Sequence, residues 1–164
     1  MALDSKAEQI DHDDQEAGGQ EYFRISKDLP HWHMHGLIKK SVPIRLDAMF
    51  TEGDIVQEET YYLVDAKPFL IVISQWSDAD DPRKSENSDV ERRFYFSDGQ
   101  LLGCRLKGKS GLSGVSTGAK ARVVTADLAK RATTIARVLA GELSGSDAAN
   151  VLSPPPPVSC EINQ

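Results

Sequence analysis

The chain has no long apolar run. Nowhere in its 164 residues do about 18 apolar residues follow one another, which excludes a membrane-spanning helix. Its first residues, MALDSKAEQIDHDDQEAGG, lack the apolar stretch an export signal needs. As written the chain is expected to be cytoplasmic, or periplasmic or secreted if a leader has been removed. Cysteine is scarce: Cys104 and Cys160 are the two, and no C-x-x-C pair supplies a zinc or redox framework. Two unpaired thiols are the expectation; a disulfide between them, pinning the tail, is the alternative for an oxidising compartment. Charge of one sign is lacking over most of the chain. The net charge of −6 resides in residues 1–21, where Asp4, Glu8, Asp11, Asp13, Asp14, Glu16 and Glu21 face Lys6 alone. The balanced remainder lacks the positive field on which nucleic-acid binding draws, so no nucleic-acid partner is expected.

What is present is period-two patterning from His31 to Leu106, the signature of strands with one buried face. In Val42-Pro-Ile-Arg-Leu-Asp-Ala-Met-Phe50, alternation sends Val42, Ile44, Leu46, Ala48 and Phe50 to the core and Arg45 and Asp47 to water. An internal repeat at an offset of 33 strengthens the reading. EETYYLVDAKPFLIV from Glu58 aligns with ERRFYFSDGQLLGCR from Glu91, each a strand, a two-residue turn and a second strand. Asp98-Gly99 suits a type I′ turn because both central residues need positive φ; Asp65-Ala66 is the weaker counterpart. Farther on, Val124, Leu128, Ala132, Ile135 and Leu139 form one stripe at helical spacing, with Gly141 placed as a C-terminal cap.

These elements predict a mainly β, α+β fold: an antiparallel meander of about six strands with one C-terminal helix, near residues 123–140, packed on one face. Residues 1–23 read as an acidic flexible leader, 24–143 as the domain, and 144–164, with Pro154 to Pro157, as a disordered tail.

The wording Tyr61 to Lys67 and Phe94 to Gln100, followed by an Ala/Arg-rich helix, resembles a group of small bacterial proteins, mostly exported, with "EYYFDDGKL" and "RYYFDNGKLI" hairpins. The likeness spans roughly residues 55–140. More loosely, the wording resembles variant MORN-type hairpin repeats, whose implied role is scaffolding rather than catalysis. Ala66 and Pro68 depart from both patterns.

Four stretches invite a chemical reading. GCRLKGKS, Gly103 to Ser110, spells a phosphate-binding loop, but such a loop joins a parallel strand to a helix. Here a hairpin strand precedes it and GLSGVSTG follows, so no nucleotide is expected. His31, His33 and His35 alternate along a strand and would share a face. Adjacent members stand about 6.6 Å apart, within reach of one metal ion, while the outer pair at about 13 Å is not. The blander reading makes Trp32 and Met34 the core face and the histidines its solvated reverse. Asp78 to Asp89 places oxygens at some calcium-hand positions, yet Pro82 and Arg83 stand where a ligand and an obligatory glycine belong. No nucleophile elbow or activated cysteine marks a catalytic centre, and no cofactor is expected.

The functional expectation is therefore a non-catalytic binding domain with a protein partner, using the open face of the sheet. Repeat register puts Tyr61, Leu63, Phe94 and Phe96 inward and Tyr62, Arg93 and Tyr95 outward, types enriched at binding hot spots. The alternative is a metal-binding protein or metal-dependent enzyme built on His31, His33 and His35.

Overall fold

The computed structural model describes residues 2–16, 22–77, 90–106 and 119–152. Seven strands form one sheet in sequence order, each antiparallel to the next: β1 (Tyr22–Leu29), β2 (Trp32–Lys39), β3 (Val42–Glu52), β4 (Ile55–Val64), β5 (Lys67–Ser77), β6 (Val90–Ser97) and β7 (Gln100–Leu106). Among the described residues three helices accompany the sheet: α1 (Ala2–Glu16), α2 (Ala119–Leu139) and α3 (Gly145–Leu152). None of them is long and apolar enough to cross a membrane. The meander is the expected one with a strand added at its start. β1 escapes the sequence pattern because it is an edge strand with no fully buried residue, rich in the charged side chains that protect an edge.

Three hairpins share one geometry. Their two-residue turns, Lys40-Ser41, Asp65-Ala66 and Asp98-Gly99, all have positive φ at both positions, as a type I′ turn requires. Each is preceded by a register shift at the corresponding place, between Leu37 and Ile38, Tyr62 and Leu63, and Tyr95 and Phe96. The first shift leaves Ile44 without a pairing partner in β3. It therefore takes Val42 out of the inward set: Leu46, Ala48 and Phe50 are buried, whereas Val42 is exposed beside the turn.

The sheet has two covered faces. On the inner one, Trp32, Met34, Phe50, Tyr61, Leu63, Ile73, Phe94 and Phe96 meet Leu128, Ala132, Ile135, Val138 and Leu139 of α2 and Ala148 and Leu152 of α3. The helical stripe is the one its spacing predicts, save that the side chain of Val124 lies outside the described residues. The close of α2 follows from Gly141 at φ 75°: its N–H donates to Val138 O and that of Glu142 to Arg137 O, a paired C-terminal cap. Gly36 lets this end approach β2, since a Cβ there would stand 3.0 Å from Ile25 and 3.1 Å from Leu139.

Two boundaries differ from the sequence reading. Residues 145–152, read as part of a disordered tail, form α3, whose start is held by the Ser144 hydroxyl accepting from Asp147 N–H. Residues 2–16, read as a flexible leader, form α1 against the outer face. Cys104 is fully buried and disulfide-bonded, so the expectation of free thiols does not hold; Cys160 lies outside the described residues. The acidic loop Asp78 to Asp89 and residues 107–118, including Lys109, also lie outside them. Gly103 to Leu106 closes β7, an antiparallel edge strand, which is the wrong setting for a phosphate loop.

One polar cluster is sunk into the inner face. Arg131 of α2 donates from Nε and Nη2 to the two carboxylate oxygens of Glu59, at 2.6 and 2.5 Å, and from Nη1 to Leu152 O at 3.1 Å. Tyr61 Oη donates to Glu59 at 2.9 Å, and the guanidinium lies over the Trp32 ring. Glu59 and Arg131 are 1% and 4% exposed. Although burial alone would lower it, the Glu59 partnership holds the Arg131 pKa above its ordinary value.

Candidate interaction face

The outer face is built from the strand positions that alternate with the core. Pairing register sets them in rows across the sheet. One runs Leu37, Arg45, Tyr62, Leu70, Tyr95, Gly103, and the next His35, Asp47, Thr60, Val72, Arg93, Arg105. Tyr62, Arg93 and Tyr95 thus lie on the face opposite α2 and near one another, but the face is not open there. α1 crosses it, burying Tyr62 and Tyr95 together with Phe69 and Leu70 against Ala7, with Leu3 and Ile10 packed alongside.

α1 is a helix with little apolar surface. Ala7 is its only fully buried hydrophobic residue, Leu3 and Ile10 are partly buried, and carboxylates make most of the polar contacts. Asp4 accepts hydrogen bonds from Tyr95 Oη at 3.0 Å and Arg93 Nη1 at 2.8 Å, and pairs with Arg105 at 3.3 Å. Asp11 accepts from Tyr62 Oη at 2.9 Å and Arg45 Nη1 at 3.0 Å. Beyond it, Asp14 pairs with Arg24 at 2.8 Å, and Asp13 accepts from Tyr22 Oη at 3.1 Å. Lys6, the one lysine or arginine of α1, sits over the Phe69 ring at 4.8 Å.

Two of these contacts repeat a single arrangement. Arg105 lies over the Tyr95 ring, and both engage Asp4; Arg45 lies over the Tyr62 ring, and both engage Asp11. Tyr62 and Tyr95 occupy matching places two strands apart, at the register shift of their hairpins. Asp4 and Asp11 are seven residues apart on the helix. A helix rises about 10.5 Å in seven residues, and two strand spacings amount to about 9.6 Å. The helix repeat therefore matches the sheet repeat.

The electrostatics follow from these contacts. Burial alone would raise the Asp4 pKa, but the hydrogen bonds from Tyr95 and Arg93 and the charge of Arg105 outweigh it and hold the carboxyl below the usual range. Burial and the neighbouring Asp11 carboxylate push the Tyr62 phenol well up, and burial with Asp4 raises that of Tyr95, so both remain hydrogen-bond donors. Beneath the end of α1, burial raises the Asp47 carboxyl despite Arg45 beside it.

Next to that end the face opens into a cleft of about 450 Å³ lined by Asp14, Arg24, His35, Arg45 and Asp47 among others. A second opening of about 250 Å³ shares His35, Arg45 and Asp47 and extends to His33 and Glu58. The histidines do not form the trio that alternation implies. His31 belongs to the β1–β2 turn at φ 67°, its Nδ1 3.1 Å from Thr51 O, because Pro30 and His31 make the turn and β2 begins at Trp32. His33 and His35 do share the outer face, ring to ring at 4.3 Å, with His33 hydrogen-bonded to Asp28. Among the described residues no group of three or more His, Cys, Asp or Glu side chains is placed to hold a metal ion.

Sequence reasoning placed Arg93 on this face but missed the docking of α1 there and the part played by Arg24, Arg45 and Arg105. The available signal was the recurrence of an apolar residue followed by Asp, Leu3-Asp4 and Ile10-Asp11, at a helical repeat inside an otherwise acidic run. No protein-family model, curated protein or solved structure matches the chain.

Proposed function

We propose that the protein is a non-catalytic interaction module whose working surface is the outer face around Tyr62, Arg93 and Tyr95, with α1 as the resident occupant. The observation that carries this reading is the composition of the α1 contact. A segment with one fully buried apolar residue is held through carboxylates on two buried tyrosines and on arginines that are partly exposed, side chains of Arg45, Arg93 and Arg105 retaining 24%, 33% and 26% of their accessible surface. Ion pairs to partly exposed arginines are each worth about 0–1 kcal/mol and weaken with salt, so that part of the contact holds α1 only weakly. Tyr and Arg are the types that dominate binding hot spots. A scaffolding role, which the resemblance to hairpin-repeat proteins implies, is consistent in kind with such a module.

The test is capture from a native extract by the full chain carrying Asp4→Asn and Asp11→Asn, which loosens α1 without altering the face. Tyr62→Ala with Tyr95→Ala in that background should weaken capture by at least about 2 kcal/mol while the circular-dichroism spectrum of the sheet persists. Capture indifferent to both tyrosines would place the working surface elsewhere.

A further inference from the structure

Resting on that reading, we infer the chemistry of the partner: the outer face recognises an acidic amphipathic helix of another protein in which an apolar-Asp pair recurs after seven residues, and α1 is the internal copy of that ligand. The face is specific in three respects. Its donors, Tyr62 Oη, Tyr95 Oη, Arg45, Arg93 and Arg105, converge on two carboxylates, Asp4 and Asp11. An uncharged helix would take both carboxylates away from the two tyrosines and Arg105, leaving Arg45 and Arg93 only their sheet partners Asp47 and Glu91, and a basic one would meet arginines of like charge. Between the two carboxylate stations lies Leu70, with Phe69 next to it, and there only a small residue such as Ala7 lies fully buried against them. The stations themselves are spaced by the sheet, Tyr95 on β6 and Tyr62 on β4, so the face selects a helical repeat of seven and not merely negative charge.

The contact is also suited to exchange. Covalently joined to the sheet, α1 competes as an intramolecular ligand at a high effective concentration. A helix from another chain must match its pattern and exceed its apolar contact to displace it. Longer apolar residues at the positions of Leu3 and Ile10 offer such a gain, because both are only partly buried in α1.

A labelled peptide of residues 2–16 tests the inference by fluorescence anisotropy. The host is the full chain with Asp4→Lys and Asp11→Lys, whose own helix is repelled by Arg93, Arg105 and Arg45. The peptide should bind this host at least ten-fold more tightly than it binds the wild-type chain, and binding should weaken steeply between low and high salt. A peptide carrying the same two lysines, and one of identical composition with the order of residues 2–16 scrambled, should each lose at least ten-fold. So should the native peptide when the host also carries Tyr62→Phe and Tyr95→Phe. Equal binding of native and scrambled peptides, or indifference to the two phenylalanines, overturns the inference. If the doubly reversed host does not fold, the Asp4→Asn, Asp11→Asn chain takes its place; if neither folds, α1 is an obligatory part of the domain and the inference falls. The two levels separate cleanly. Peptide recognition without any Tyr62- and Tyr95-dependent capture leaves helix recognition standing and removes the module. Capture that excess peptide cannot displace leaves the module standing and removes the acidic helix.

Discussion

Replacing Arg131 by Met should be among the most damaging substitutions on α2. Met keeps the apolar stem but not the guanidinium that lies over Trp32, and the Glu59 carboxylate loses two short hydrogen bonds and its counter-charge at a site 1% exposed. The chain then either holds an uncompensated buried charge or takes up a proton. Neutralising a glutamate of ordinary acidity costs about 3.7 kcal/mol at pH 7 and about 1 kcal/mol at pH 5, at about 1.36 kcal/mol per unit. Breaking a buried pair by removing one partner costs about 3–5 kcal/mol in general, and the two routes agree. Urea unfolding followed by tryptophan fluorescence should show a loss of about 4 kcal/mol at pH 7 that shrinks by about 2–3 kcal/mol at pH 5. Its sign is fixed by linkage: a group that holds its proton in the folded variant contributes stability at low pH that disappears as pH rises. Pairing Arg131→Met with Glu59→Gln should restore most of the loss, since no buried charge remains. A loss below about 1 kcal/mol at pH 7, or one independent of pH, would refute the reasoning and show that water reaches the pair.

Two other outcomes follow from the geometry. Ala66→Gly should be neutral or stabilising by up to about 1 kcal/mol in thermal unfolding, because Ala66 holds φ 63° in a conformation that glycine adopts without a Cβ penalty; a loss of about 1 kcal/mol would contradict the turn. Asp4 has a lowered folded pKa, so its contribution to α1 docking is complete above its ordinary value near 4 and lost as pH falls through the folded value. Hydrogen exchange of α1 amides should therefore be unchanged from pH 7 to about 5 after correction for intrinsic rates, and protection should fall progressively as pH drops below about 4; protection that shows no fall on further acidification of the wild-type chain would show that the carboxylates do not hold the helix.

The sheet was legible because alternation is a local property. Parity along β4 and β6 suffices to send Tyr61 and Phe94 toward α2 and Tyr62 and Tyr95 away from it, and one misassigned turn would have reversed both sets. The same parity also marked Glu59: standing between Gln57 and Tyr61 on the inward side of β4, a glutamate there demands a buried cation, and Arg131, one residue before Ala132 of the helical stripe, is placed to supply it. α3 carried a local sign too, Ser144 three residues before Asp147, in a segment whose prolines beyond it drew the reading toward disorder.

α1 was illegible for a different reason. Its stability is not local: Asp4 finds Arg93, Tyr95 and Arg105 across 89, 91 and 101 residues of sequence, and Asp11 finds Tyr62 across 51. Without those partners a run of carboxylates with four apolar residues has nothing to bury and reads as solvated chain. The partners, read alone, likewise looked like an exposed face, and each half was misread for want of the other. Acids in one segment and arginines with tyrosines in another are complementary only when their spacings agree, seven residues of helix against two strands of sheet. That agreement separates a specific surface from general attraction, and it can be sought in a sequence once the strand register is known.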